Sequence, residues 1–310
     1  MSAPSISFVV VTYNSAGAIE PCLRSVMEWT SRSYEIVVVD NSPDSATMDA
    51  VRQFAAAQPE LALRAIRPAE NIGFSRACNL GARQAAGEYL FFLNPDTQLM
   101  NDAAQSLARC LEQRPRALAA GPAIFDAEGR VTRTCRNLPN LLNIALDATG
   151  LDRWWGAYRL TRFSHAQPRA VDQIIGAAMV MRRGDYERFG GMDERFFVYF
   201  EEVDLCKRFR EAGGEIWFWP EARVRHISGR SCEAGPVRAR MIYTLRESRR
   251  KYFAKHFGAA RARVLEGMNR LEGLQKTPVL LALWLLRGEP SYREKAAGFW
   301  AVVIGVKPRL

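Results

Sequence analysis

The sequence lacks the features that mark several large classes of protein. Its six cysteines include no Cys-x-x-Cys pair and have no regular spacing, so neither disulfide bonds nor structural zinc are expected, which favours a reducing, cytoplasmic compartment. The N-terminus has neither the basic nor the apolar region of a signal peptide. The longest apolar run, residues 279–286, has eight residues and is too short to span a bilayer.

Two glycine motifs of nucleotide-binding proteins are also missing. No Gly-x-Gly-x-x-Gly follows the first predicted strand, and no Walker P-loop is present. These absences argue against an NAD-dependent enzyme and a P-loop NTPase. A nucleotide would instead be held by side chains, with an Asp and an Asn at the base and ribose. Asp96 would then be an oxygen ligand for a divalent ion that bridges phosphates.

The positive charge is concentrated at one end of the chain. Residues 223–310 contain 19 Lys and Arg against 6 Asp and Glu, whereas residues 1–222 contain 24 against 27. Basic helices with apolar faces suit an anionic membrane surface or an anionic acceptor. Nucleic acid is the competing partner, and a solvated helical surface is the simplest alternative. We expect membrane contact and no nucleic acid.

Hydrophobic periodicity predicts an α/β fold with a mainly parallel central sheet between helices. Strands are predicted at residues 5–13, 34–39, 61–66 and 89–93, alternating with helices at 18–29, 46–57 and 75–86. A helix capped by Asn101 should follow. Residues 126–169, which include Trp154 and Trp155, are interpreted as a variable, partly loop region able to touch a second substrate. Further strands are predicted at 172–182 and 215–219, the first with small residues where a ligand or another backbone comes close.

Polar residues follow the end of each of the first four predicted strands. The clusters are Thr12-Tyr13-Asn14, Asp40-Asn41-Ser42, Asn71-Ile72-Gly73 and Asn94-Pro95-Asp96. Such residues also form ordinary turns, which would explain any one cluster. Four in succession on the edge where open α/β sheets bind ligands indicate a site.

An aromatic run at residues 196–200 ends in three closely spaced carboxylates, Glu201, Glu202 and Asp204. If a helix begins near Glu201, Glu202 lies at the start of its apolar face. A carboxylate there costs desolvation unless a metal, a donor or a substrate proton uses it. The alternatives are that these acids only complement the helix dipole, and that Asp204 pairs with Arg208.

Histidine is scarce, with only three in the chain. A lone histidine is more often structural than a ligand. His165 and His256 are therefore interpreted as structural. His226 follows the strand predicted at 215–219, and its role depends on the motifs around it.

Six short motifs occur in a fixed order between residues 5 and 230. They are Val-Val-Val-Thr-Tyr-Asn (9–14), Val-Val-Val-Asp-Asn-Ser (37–42), Asn-Ile-Gly-Phe-Ser-Arg-Ala-Cys-Asn-Leu-Gly (71–81), Phe-Leu-Asn-Pro-Asp (92–96), Phe-Glu-Glu-Val-Asp-Leu-Cys-Lys-Arg (200–208) and His226. The set resembles glycosyltransferase family 2, whose members are inverting enzymes of GT-A fold. Within that family it is most similar to the rhamnosyltransferase-type branch that builds bacterial surface polysaccharides.

The resemblance implies a role for each matching residue. It assigns the nucleotide-sugar to Thr12, Tyr13, Asn14, Asp40, Asn41, Asn71, Gly73, Arg76 and Asn94, with Arg76 near phosphate. It makes Glu202 the catalytic base, with Glu201 and Asp204 as orienting or acceptor-binding acids. Asp96 is the remaining carboxylate of the family's metal element, and His226 matches a late metal ligand, so Mg²⁺ or Mn²⁺ is the implied cofactor.

Two positions depart from the family pattern. Asn94 replaces the first acid of the metal element, which leaves one charge fewer and could relax metal dependence. Glu202 stands where Asp is more usual, so the base reaches one methylene further. Neither change removes a chemical group that the reaction needs.

The resemblance implies transfer of a sugar from a nucleoside diphosphate to a hydroxyl of a saccharide or lipid-linked acceptor. Rhamnose from dTDP-rhamnose is the first expectation, and the choice between a dTDP-sugar and a UDP-sugar stays open. A non-catalytic nucleotide-sugar-binding or scaffold protein is the competing hypothesis. We expect a GT-A domain at residues 1–230 and a basic helical extension at 231–310 that docks on the inner face of the cytoplasmic membrane. Deleting that extension should lower liposome binding more than activity on a soluble acceptor.

Overall fold

The computed structural model describes residues 5–227 and 236–308, without the side chains of residues 236 and 237. The chain divides into two units. The first comprises the described residues among 1–138, 152–194 and 201–228, and the second those among 139–151, 195–200 and 229–310. The domain boundary predicted at 230/231 lies outside the described residues and stays a prediction.

The elements alternate along the chain as the hydrophobic pattern predicts. The strands are β1 (Ile6–Thr12), β2 (Tyr34–Asp40), β3 (Leu63–Ile66), β4 (Tyr89–Leu93), β5 (Thr97–Leu99), β6 (Ala117–Phe125), β7 (Arg169–Val171), β8 (Ala178–Arg182) and β9 (Glu215–His226). The helices are α1 (Ala16–Trp29), α2 (Ala46–Ala56), α3 (Phe74–Gln84), α4 (Ala103–Gln113), α5 (Leu141–Ala148), α6 (Asp152–Trp155), α7 (Arg183–Arg188), α8 (Glu201–Glu211), α9 (Pro236–Arg287) and α10 (Pro290–Ile304).

In the described residues, all nine strands belong to one sheet with the order β3-β2-β1-β4-β8-β6-β9-β5, and β7 pairs with β9. β1, β2, β3 and β4 are parallel, so their carboxyl ends share one edge. β8 runs antiparallel to β4, with Ala178 opposite Leu93. The amino end of β8 therefore lies beside the carboxyl end of β4.

Alternate strand residues bury against two separate helical layers. In β1, Phe8 and Val10 belong to the core beneath α1, α2 and α4, while Val9 and Val11 belong to the core beneath α3 and α8. Side chains of a strand point alternately to opposite faces, and both faces of this sheet are covered. This explains why the strands read as continuous apolar runs, and it confirms the predicted α/β fold with helices on both faces of the sheet.

The structure corrects several local predictions. Asp102, not Asn101, caps α4, because its side chain accepts a 3.1 Å hydrogen bond from the amide of Gln105. The Asn101 side chain instead bonds to the chain at Glu221 and Arg223. Strand β6 was not predicted, since its Ala-rich sequence gives weak strand periodicity.

Two further strand boundaries differ from prediction. Within the segment predicted as a strand at 172–182, only residues 178–182 form one. β9 continues to His226, beyond the predicted end at residue 219, with a register shift against β6 at the Pro122/Ala123 position. This extension carries His226 to the end of β9, where it pairs with Thr97 of β5.

The second unit is built mainly from α9 and α10, which pack against each other. α9 is kinked at Gly258, whose φ of 84° is outside the helical region. A Cβ on Gly298 of α10 would lie 2.9 Å from the carbonyl oxygen of Ala239, so a side chain there would separate the helices. No helix within residues 5–227 and 236–308 combines the length and hydropathy that crossing a bilayer requires.

Candidate active site

The carboxyl ends of β1 and β2 form a buried polar cluster. Thr12 Oγ1 donates to Asp40 Oδ1 at 2.8 Å, and Ser42 Oγ donates to the same oxygen at 2.5 Å. The other carboxylate oxygen of Asp40 is buried and has no hydrogen-bond partner in the described part of the chain. Because an unpaired buried acceptor is costly, this oxygen is a candidate contact for a ligand donor.

The turn after β1 presents its residues at the same edge. Asn14 adopts a left-handed conformation, with φ of 51°, and is exposed. Its amide donates to Ser42 Oγ at 2.8 Å. Tyr13 is half-buried, and its amide donates to Ser15 Oγ at 3.2 Å. The backbone of this turn is thus fixed, and the side chain of Asn14 faces solvent.

Asn41 organises the neighbouring loop before α3. Its Nδ2 donates to the carbonyl of Gly73 at 3.2 Å, and its Oδ1 accepts from the amide of Ile72 at 3.3 Å. Asn71 Oδ1 accepts from the amide of Gly73 at 2.9 Å. Gly73 has φ of 83° and ψ of 168°, a conformation that is essentially restricted to glycine. Sequence analysis placed these residues at the nucleotide-sugar; their contacts within the chain are those of a rigid loop.

Arg76 lies on the first turn of α3 and is 58% exposed. Its Nε is 3.4 Å from an oxygen of Glu194. Asn79, one turn further, is buried, with Nδ2 donating to the carbonyl of Met192 at 2.9 Å and to Glu194 at 3.1 Å. Sequence analysis gave Asn79 no role, yet it fixes the 192–194 loop and, through Glu194, the position of Arg76.

Asp96 and His226 form a close pair. Nε2 of His226 lies 3.1 Å from Oδ1 of Asp96, and both side chains are largely buried. The pairing follows from the sheet, because β5 and β9 are antiparallel with Thr97 opposite His226. The amide of Ile227 also donates to the carbonyl of Asp96 at 3.0 Å. Two residues 130 positions apart in the sequence are thus held together by strand register.

Asn94 connects this pair to the start of α8. Its amide donates to the carbonyl of Ala177 at 2.9 Å. A Cβ on the preceding Gly176 would lie 3.5 Å from Cβ and 3.8 Å from Cδ of Glu202. Gly176 and Ala177 are adjacent in the chain, so their Cα atoms are only about 3.8 Å apart. The start of α8 therefore lies at the sheet edge where β4 ends, close to Asn94, which is two residues before Asp96.

Glu201 and Glu202 are the first residues of α8, and each has one buried carboxylate oxygen without a hydrogen-bond partner in the described chain. Burial raises the pKa of Glu201 well above its ordinary value, and the adjacent Glu202 charge adds to the effect. Burial also raises the pKa of Glu202, whereas the Arg136 charge opposes that shift. Both pKa values are raised, that of Glu201 further than that of Glu202, so Glu202 is the acid of the pair that ionises first.

Arg136 is a further candidate site residue, and the sequence motifs do not include it. It lies outside helices and strands, in a segment joined to Gln173 by two backbone hydrogen bonds of 3.2 Å. Its guanidinium carbon lies 5.5 Å from the ring centroid of Tyr158. No sequence signal marks it, because the pairing that brings it near Glu202 is between residues distant in sequence.

Asp204 is fully buried and paired with Arg208, whose Nε donates to its carboxylate at 2.8 Å. Arg208 also donates to the carbonyls of Phe189 and Gly191. The i, i+4 ion pair that sequence analysis considered as an alternative is therefore present, and it joins α8 to the loop after α7. The orienting or acceptor-binding role of Asp204 stays a prediction.

Two solved glycosyltransferase structures have a similar fold. The chain is similar to GalNAc-T7 with UDP, GalNAc and Mn²⁺ (TM-score 0.58, 16% identity), covering 82% of this chain and 51% of that one. It is also similar to the mannosyltransferase PcManGT from Pyrobaculum calidifontis with GDP-Man and Mn²⁺ (TM-score 0.56, 18% identity), covering 98% and 87%. The fold is thus that of a GT-A glycosyltransferase, as predicted. Residues 7–190 match the model of glycosyl transferase family 2, and the chain belongs to that family.

Relatives with described activities extend the comparison. The chain is 30% identical over 246 residues to an N-acetylglucosaminyl-diphospho-decaprenol L-rhamnosyltransferase of Mycobacterium tuberculosis, covering 74% of this chain and 78% of that protein. It is 26% identical over 149 residues to the rhamnosyltransferase WbbL of Escherichia coli K12, covering 47% and 54%. The predicted resemblance to rhamnosyltransferases of this family is confirmed.

The buried pair of acids predicts a pH-dependent stability. A carboxyl whose pKa is raised by folding stabilises the protein in acid, and this contribution is lost as pH rises through the folded-state pKa. Glu201→Gln removes the ionisable group, so its melting temperature relative to wild type should rise between about pH 5 and about pH 8, by roughly 2 °C or more. Thermal unfolding across this range is the measurement.

The exposed Glu60 provides the matched control. Glu60→Gln should give a melting curve parallel to wild type at every pH. If Glu201→Gln is also parallel to wild type, Glu201 does not hold a proton in the folded state.

Proposed function

We propose that this enzyme transfers a sugar from a nucleoside diphosphate to a hydroxyl of a saccharide or lipid-linked acceptor, with inversion, during synthesis of a cell-surface polysaccharide. dTDP-rhamnose is the proposed donor, because two similar proteins are rhamnosyltransferases. A lipid-linked acceptor is supported by the decaprenol diphosphate in the name of the mycobacterial relative. The observation that carries the proposal is Glu202, a half-buried residue whose carboxylate has a buried oxygen without a partner in the described chain.

The reaction needs a base on the acceptor side. The acceptor hydroxyl attacks the anomeric carbon opposite the departing diphosphate, and it must lose its proton as the new bond forms. A carboxylate within hydrogen-bonding distance accelerates such a step by roughly 10²–10⁴. Glu202 is partly exposed, whereas Glu201 is only 5% exposed, so Glu202 is the acid that a substrate can reach.

Glu201 and Arg136 together determine the charge around Glu202. One negative charge beside Arg136 is favourable, whereas two adjacent carboxylates in a buried site repel each other. Glu201 therefore keeps its proton and orients the acceptor or the base. Glu202 remains ionised and ready to accept the hydroxyl proton. Gly176 leaves room against Glu202, because its missing side chain would contact that carboxylate.

The donor nucleotide is assigned to the ends of β1 and β2 and the loop before α3. Asp40 accepts hydrogen bonds from the base or ribose, and the half-buried Tyr13 lies beside the base. Asn14 and Asn94 supply polar groups, and Asn41 holds the 71–73 loop in place. Arg76 is exposed on α3 and contacts Glu194. When donor binds, Arg76 exchanges that contact for the diphosphate and places its positive charge there.

Asp96 and His226 fit a divalent cation. Two ligands that are each about 2.1 Å from an octahedral ion lie about 3 Å apart, and these two side chains are separated by 3.1 Å. Among the described residues, no group of three His, Cys, Asp or Glu surrounds a common point, so diphosphate oxygens and water would complete the shell. When bound, the ion neutralises charge on the leaving diphosphate, and Mn²⁺ accompanies the nucleotide in both similar structures.

We further propose that the enzyme is cytoplasmic and binds the inner membrane face. On α9, Leu285 and Leu286 are 76% and 82% exposed, next to Arg287. On α10, Trp300 and Ile304 are also exposed. Exposed apolar side chains beside cationic ones suit an anionic bilayer surface, where a lipid-linked acceptor would be presented.

Replacing the proposed base tests the mechanism. Glu202→Gln keeps the shape of the side chain but cannot accept a proton, so turnover should fall by about 10² or more. Donor affinity should stay near that of wild type. Release of nucleoside diphosphate from a panel of nucleotide sugars with Mg²⁺ or Mn²⁺ measures turnover, and calorimetry measures donor binding.

Glu60→Gln is the control and should retain full activity. Normal turnover by Glu202→Gln would remove Glu202 from its role. A wild-type protein that binds donor but never releases diphosphate, with any acceptor offered, would instead favour a non-catalytic nucleotide-sugar-binding protein.

The cation site has its own test. Asp96→Asn and His226→Asn should each weaken Mn²⁺-dependent donor binding, with the half-saturating Mn²⁺ concentration raised roughly tenfold or more. Calorimetric titration after treatment with a chelator measures this without reference to turnover. Asp49→Asn, on α2, is the matched control. An unchanged Mn²⁺ requirement in both variants would exclude the pair as ligands.

Membrane binding is tested with point variants of the exposed apolar residues. Leu285→Ser combined with Leu286→Ser removes two large apolar side chains, so partitioning to anionic liposomes should fall roughly tenfold or more. Leu142 of α5 is similarly exposed, so Leu142→Ser is a control that should leave partitioning to liposomes unchanged. Equal sedimentation of all three proteins with liposomes would exclude this surface, and salt-sensitive retention on DNA would favour nucleic acid instead.

A further inference from the structure

The segment at residues 195–200 directly precedes the two acids of α8, yet it belongs to the second structural unit. It forms neither helix nor strand. The long helix of that unit, α9, contacts this segment at three points.

Two polar contacts fix its backbone. Ser248 Oγ donates to the carbonyl of Val198 at 2.9 Å. Lys251 Nζ donates to the carbonyl of Arg195 at 3.1 Å. A segment without secondary structure leaves its carbonyls in need of donors. These side chains of α9 satisfy two of them at defined positions.

An aromatic contact fixes the end of the segment. The rings of Phe200 and Tyr252 lie 5.4 Å apart between centroids, and both residues are buried. Ser248 and Tyr252 are four residues apart and thus lie on one face of α9. Ser248 is also buried. The contact face is consequently a packed one, in which small displacements are resisted.

The backbone at the end of this segment is unusual. Tyr199 and Phe200 have φ values of 68° and 70°, a region that residues with a Cβ rarely adopt. Two consecutive residues of this kind persist only where the surroundings hold them. The packing of Phe200 on α9 provides such a restraint, and the next residue in the chain is Glu201.

We propose that α9 positions the catalytic base through this segment, with Ser248 and Tyr252 as positioning residues. They set the path by which the backbone enters α8, and the first turn of α8 carries Glu201 and Glu202. The inference rests on the proposed role of Glu202 as the base. It gives the C-terminal helices a part in catalysis that is separate from membrane attachment.

Point variants in the full-length protein test the proposal. Ser248→Ala removes the donor to Val198, and Ser248→Thr keeps a hydroxyl. Tyr252→Leu removes the ring, and Tyr252→Phe keeps it. Thr277→Ala is the matched control, because Thr277 is another buried hydroxyl of α9, and its Oγ1 has no hydrogen-bond partner in the described chain.

The readouts are kcat per donor-binding site, the KM for donor, and the pH profile of kcat, all with a soluble acceptor. Ser248→Ala and Tyr252→Leu should lower kcat roughly tenfold, since small misplacements of a reacting group are costly. Donor KM should stay within about twofold. The acidic limb of the pH profile should shift, because the base changes its surroundings. Ser248→Thr, Tyr252→Phe and Thr277→Ala should resemble wild type.

Two outcomes would overturn the proposal. Ser248→Ala and Tyr252→Leu could both match wild type in kcat per donor-binding site and in pH profile, so that any loss of total activity follows only from lost donor-binding sites, as a purely structural role predicts. Thr277→Ala could also lose as much activity as they do. Glu202→Gln, measured in parallel, distinguishes failure of the proposed base from failure of the positioning role. If Glu202→Gln is inactive while Ser248→Ala is normal, Glu202 keeps its role as the base and only the positioning role is excluded.

Discussion

The burial of two adjacent carboxyl groups at the start of α8 is the constraint on which the rest of the site depends. Each carboxyl has an oxygen with no hydrogen-bond partner in the described chain, and burial without a partner is unfavourable for an ionised acid. The neighbouring thiol of Cys78 is affected too: burial raises its pKa, and the nearby carboxyl groups raise it further. A fold tolerates such an arrangement only where packing elsewhere compensates, and the two apolar layers on either side of the sheet provide that packing.

The remaining polar groups are held by different means. Asp40 is fixed by two hydroxyl donors, the 71–73 loop by Asn41, and the Asp96–His226 pair by strand register. None of these groups lies inside a strand or in the middle of a helix. They lie where strands end, so the backbone can turn toward a ligand while the sheet keeps the strand end in place.

Much of the first half of the fold could be predicted from sequence, because its parallel strands are apolar throughout and their ends carry turn-forming polar residues. The predictions were weaker where pairing is non-local. β6 lacks a strand-like composition, and β9 extends past Pro220 only because β6 and β5 pair with its far end. Arg136 could not be identified for the same reason, since its proximity to Glu202 depends on backbone pairing with Gln173. Asp204 shows the opposite limit: its i, i+4 relation to Arg208 is visible in sequence, but its complete burial is not.

The antiparallel direction of β8 has a consequence for how such a site can diversify. In a parallel strand the loop that follows the strand lies at this edge. Because β8 is antiparallel, the loop that precedes it, residues 172–177, lies there instead, with Gly176 beside Glu202 and Ala177 bonded to Asn94. The stretch upstream of it, which includes the exposed Trp154 and Trp155, can therefore change in length or composition while Gly176 and Ala177 keep their places beside Glu202 and Asn94.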